Sequence, residues 1–153
     1  MIKTYLFFTL IFIASFGATA TSLKADDSID DREAIVLPAP GRNLVLAEMR
    51  GFLEAVQAIT AGLAENDLKA ISGNARKVGM ANARNVPAAL MKKLPQQFRQ
   101  LGAATHKQFD EISAEAREIG DRDVILKKLG NLMLNCTTCH SIYKLVPLKQ
   151  GSK

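Results

Sequence analysis

The chain has 153 residues, 48% of them apolar, a formal charge of +5 at pH 7 and two cysteines. That length and apolar content fit one domain around one core. The Lys and Arg residues are dispersed, without a run or interleaved aromatics, so nucleic-acid binding is not supported. The two cysteines stand only three positions apart, and a bridge between them would close a tiny loop and constrain little.

Residues 1–20 read as a cleavable signal peptide: Lys3 is the positive n-region, Leu6–Phe16 the apolar stretch, and Ala18-Thr19-Ala20 the small-x-small cleavage site. The apolar run is shorter than the roughly 20 residues a bilayer-spanning helix needs, so the mature chain is not expected to span a membrane. Losing Lys3 lowers the formal charge from +5 to +4. Residues 21–40 carry Asp26, Asp27, Asp30, Asp31 and Glu33 before Pro38 and Pro40, and read as an acidic, poorly ordered leader.

The domain proper is read over 41–147, followed by a tail over 148–153. Val45, Met49, Phe52, Val56, Ile59 and Leu63 alternate by four and three, one stripe along a first helix. Asn66 or Asp67 can cap a second helix carrying Leu68, Ile71, Ala75 and Val78. Gly79 to Lys93 is irregular and reads as a crossover loop. Pro95 opens a third helix, with Phe98, Leu101, Thr105, Phe109, Ile112, Ala116 and Ile119 inward. Gly120 stops it and Asp121 can cap the next. Ile125, Leu129, Leu132, Cys136, Cys139, Tyr143 and Val146 then form the most regular seam, ended by Pro147. Four amphipathic helices without a strand signal predict an all-α, antiparallel four-helix bundle, whose core is a usual place for a cofactor.

Cys136-Thr137-Thr138-Cys139-His140 is the attachment pattern for c-type haem. On a helix the two thiols lie about one turn apart, so each reaches one vinyl group of the same porphyrin while His140 offers an imidazole nitrogen to the iron. One covalent haem c per chain is therefore expected. A zinc site would need further ligands, and His106 is the only other histidine. A thioredoxin-type pair would sit at a strand-to-helix junction. Two structural cysteines matching the pattern by chance are the remaining alternative.

A single motif of this kind near the C-terminus, on the last helix of an exported four-helix chain, resembles the class II cytochromes c: cytochrome c prime and its low-spin relatives. The resemblance spans about Gly41 to Leu145. Tyr143-Lys144 follows the haem histidine where the family has an aromatic and then a basic residue, usually Arg. Met49 stands where low-spin members place their methionine ligand. The Arg that many members carry one turn earlier is Val45 here, with Arg42 the nearest substitute. The family's third-helix Trp is absent, and Phe98 stands in its region. The resemblance implies periplasmic localisation, and it leaves room for a homodimer through the first two helices, whose outer positions give no clear apolar patch.

Met49 lies on an inward stripe of a different helix from His140, the geometry required of a second axial ligand. His106 is its rival, but falls at the flank of its stripe and reads as a histidine at the surface or behind the ligand. With Met49 bound, the expectation is a six-coordinate, low-spin one-electron carrier serving periplasmic redox proteins. With that face open, the expectation is a five-coordinate protein that binds NO or CO. No catalytic constellation appears outside the haem segment, so an enzyme is not expected.

Overall fold

The computed structural model describes residues 30–148. The signal peptide expected over 1–20, most of the acidic leader and nearly all of the tail lie outside the described residues. The elements are β1 (Glu33–Leu37), α1 (Ala39–Glu65), α2 (Leu68–Lys77), α3 (Met80–Ala83), α4 (Ala88–Met91), α5 (Gln96–Glu118), α6 (Arg122–Ile142) and β2 (Tyr143–Pro147). The chain is thus mostly helical, with a small two-stranded sheet.

Local chemistry sets the helix ends. Pro38 and Pro40 stand at the start of α1, where a missing N–H costs nothing. Asn66 closes the helix in the left-handed region, and Asp67 then starts α2 by accepting from the Ala70 N–H at 2.8 Å. A Cβ on Gly62 would fall 2.7 Å from Ile71, so its absence lets α1 and α2 approach closely. Gly120, at φ +77°, ends the turn after α5. Asp121 caps α6 through the amides of Asp123 and Val124.

Two apolar clusters fill the interior. The larger joins Phe52 and Ile59 of α1, Ile71 of α2, Phe109 and Ile112 of α5, and Ile125 and Leu132 of α6. The second lies at the sheet end and joins Ile35, Leu37, Val45, Leu90, Leu94 and Tyr143. Helix α2 packs along both α1 and α5, and α5 packs along α6, whereas α1 and α6 meet over only a few residues.

The structure corrects the expected organisation at both ends of the domain. Glu33–Leu37 is not part of a poorly ordered leader: it forms β1, with Ile35 and Leu37 buried on alternate positions. Nor does the last helix continue through Tyr143 and Val146, because α6 stops at Ile142 and Tyr143–Pro147 pair with β1 in parallel, Glu33 opposite Tyr143 and Leu37 opposite Pro147. Tyr143, Val146 and the restriction that Pro147 places on its neighbour favour extended backbone. The crossover also contains two one-turn helices, α3 and α4, and Leu90 and Leu94 anchor it in the second cluster. Among the described residues, no helix is long and apolar enough to cross a membrane.

Candidate functional site

The face that α6 turns toward α5 is marked by two contacts: Lys128 lies 3.8 Å from Glu115, and the Asn135 amide donates to Gln108 at 2.8 Å. At about 100° per residue, Leu126, Met133 and His140 fall on the opposite flank, toward α1. There Leu126 is 58% and Met133 45% exposed, unusual for large apolar side chains beside a neighbouring helix. Helix α1 carries a matching flank. Leu53 follows Met49 by one turn and is 70% exposed, while Met49 itself is half-buried.

Both ends of this seam are tied. The Arg122 guanidinium of α6 donates to the Leu63 carbonyl of α1 at 2.6 Å. At the other end the β1–β2 ladder closes the gap, extended by the Leu148 N–H donating to Leu37 O at 2.9 Å. Arg32, just before β1, donates to the His140 carbonyl at 3.2 Å. Stepping fourteen residues from the Arg122–Leu63 tie, about 21 Å along each antiparallel helix, reaches Met49 on α1 and Cys136 on α6. Met49 packs on both apolar clusters, Cys136 on the first and Cys139 on the second. Met49, Cys136 and His140 therefore lie toward one loosely packed seam, while Cys139 stands about 100° from His140, toward α5.

Both cysteines are free and half-buried. Burial pushes both thiols above their ordinary range, and at Cys139 the neighbouring Cys136 adds to the effect. A reactive dithiol needs the opposite shift, so the pair is poorly set up for disulfide exchange. His140 is exposed at the end of α6, and its imidazole makes no hydrogen bond or ion pair among the described residues. Nor do three His, Cys, Asp or Glu side chains converge there on a common metal position.

The site suits a flat, largely apolar macrocycle. Two thiols one turn apart and a free imidazole offer three separate attachment points, and uncovered apolar side chains line both walls. Arg42 stands seven residues before Met49 on the same face of α1, and its buried Nε has no hydrogen-bond partner. An acidic group at the periphery of a bound macrocycle would satisfy it. Tyr143 and Lys144 lie on β2, with Tyr143 buried edge-on against Phe98 at 5.6 Å and its hydroxyl 3.4 Å from Gln97.

Of the two positions expected for His106, at the surface or behind the ligand, burial removes the first. It is 4% exposed, with Nδ1 2.8 Å from the Val78 carbonyl, Nε2 3.2 Å from Glu48 Oε1 and its ring edge-on to Phe52 at 4.9 Å. Both nitrogens are committed, which leaves no lone pair for a metal. Burial by itself lowers its pKa, but hydrogen bonds to Glu48 and to the Val78 and Gly79 backbone, with the Glu48 charge, raise it above 6.5 overall. One open surface depression lies between α2 and α5 and another between α3 and α5, and their linings share no residue with the Cys136–His140 segment. No protein-family model, curated protein or solved structure matches the chain.

Proposed function

We propose that this chain is an exported, periplasmic class II c-type cytochrome that carries one electron at a time. In this reading α1, α2, α5 and α6 form an antiparallel four-helix bundle. Cys136 and Cys139 hold haem c through two thioethers, His140 is the proximal iron ligand and Met49 the distal one. The observation that carries the proposal is the seam between α1 and α6: Met49 borders the same apolar clusters as Cys136 and Cys139, and both walls keep apolar side chains uncovered.

Bound there, haem supplies a reversible one-electron iron couple. The residues of the chain perform the rest. Tying the seam at Leu63–Arg122 and at the β1–β2 ladder limits how far its walls can move when charge changes. Leu53, Leu126 and Met133, now exposed to solvent, would be covered by a bound macrocycle and would in turn shield it from water. Arg42 is positioned to partner a peripheral carboxylate. Transient, charge-steered encounters with periplasmic redox proteins fit a chain of modest positive charge.

A gas-binding reading is favoured by one feature. Met49 touches both apolar clusters, as a side chain that merely fills space would. Optical spectra of the reduced protein, with and without carbon monoxide, separate the two. A low-spin spectrum that CO leaves unchanged supports the carrier, and immediate CO binding supports a five-coordinate site open to NO or CO.

A further inference from the structure

The His106–Glu48 contact lies outside the attachment motif yet bears on Met49 through the backbone of α1. The Val78 carbonyl can only accept, so His106 Nδ1 carries a hydrogen and donates to it at 2.8 Å. A proton must then lie between Nε2 and the Glu48 carboxyl at 3.2 Å, whichever group holds it. The ring is held at a third point by Phe52. One side chain of α5 thus grips α1 at Glu48 and the corner after α2 at Val78.

The packing of α1 on α6 is too sparse to fix its rotation from that side, so the grip acts together with its packing on α2. Successive residues differ by about 100° around a helix. Drawing Glu48 inward to α5 therefore turns Met49 toward α6. We propose that His106 is a positioning residue for Met49, acting through Glu48 to set the rotation of the α1 turn that presents the thioether. The inference rests on the reading of Met49 as the distal ligand. It gives His106, at the flank of its apolar stripe, a defined partner and a defined effect.

The test uses the haem-loaded full chain with His106→Phe, Glu48→Ala and Glu48→Gln. His106→Phe keeps the ring bulk against Phe52 and removes both hydrogen bonds. Glu48→Ala breaks the same link from a side chain that is 19% exposed, so it reports even where the histidine variant fails to fold. Each should shift the ligated-to-open ratio of Met49 by about tenfold, seen as faster CO binding and a weaker methionine-to-iron absorption. Amide hydrogen exchange over residues 47–53 should also speed up in both. Glu48→Gln can still donate from its amide to a neutral Nε2 and should keep the wild-type spectrum; the loss in His106→Phe, which also keeps the bulk, is what a purely bulk effect would not explain. Unchanged CO kinetics and absorption in both Glu48→Ala and His106→Phe would overturn the inference while leaving the haem reading intact. A wild-type protein that lacks haem, or that binds CO at once, would instead remove the reading beneath it.

Discussion

The α2–α5 and α1–α6 seams are built from similar helices and end in opposite states. Between α2 and α5, Ser72 and Ser113 exchange hydrogen bonds at 3.0–3.1 Å, and Ile71, Phe109 and Ile112 are fully buried beside them. Between α1 and α6 the ties sit at the ends, and Leu53, Leu126 and Met133 stay exposed along the span. Three seams are closed and the fourth keeps apolar side chains exposed, and it is the surface that the proposed function gives to haem. The attachment motif lies on that same seam.

The comparison is broken most severely by Phe109→Ala in the closed region. Removing a fully buried ring should cost about 3–5 kcal/mol in urea unfolding, with or without cofactor. In the open seam, Met49→Leu keeps the apolar volume and should leave haem attached with little change in stability, but the reduced protein should now bind CO.

The His106–Glu48 pair sharpens the contrast through pH. Because folding raises the His106 pKa above 6.5, its contribution to stability is fully present below pH 6.5 and is lost as pH rises through the folded value. Wild-type stability relative to His106→Phe should therefore fall over that window, by less than about 1.4 kcal/mol per pH unit. A difference that stays flat, or grows with pH, contradicts the protonated pair.

Leu53→Ser and Leu126→Ser should have the smallest effects. In protein kept free of haem, each should change unfolding free energy by within about 0.5 kcal/mol, since these side chains are already exposed. In the loaded protein the cost should be larger, and equal costs in both forms would mean the seam does not receive the cofactor.

Much of this organisation was legible from spacing alone. The stripes of α1, α2, α5 and α6 recur as buried or half-buried residues, apart from Ile119, which is 76% exposed at the end of α5, because a four-and-three repeat has few alternatives to a half-buried helix. Cys136 and Cys139 were placed on the inward seam for the same reason. The strands were not legible: Glu33–Leu37 and Tyr143–Pro147 are five residues each, and each is stabilised by a partner more than a hundred residues away. An alternating Ile35, Leu37 pattern and the run Tyr143-Lys144-Leu145-Val146 were the available clues, and the helical register carried into Tyr143 masked the second. Sequence leaves a surface position open for His106 because no local period reports that its flank is covered by α1 and by the corner after α2, with Glu48 and Val78 as partners.

The most direct test is the intact mass of the mature protein produced in a host that attaches haem, recorded under denaturing conditions. The proposed function predicts the polypeptide mass plus one haem, with neither Cys136 nor Cys139 open to alkylation, and loss of that increment in the Cys136→Ala, Cys139→Ala double variant. A wild-type mass equal to the bare polypeptide, with both thiols alkylated, would contradict it.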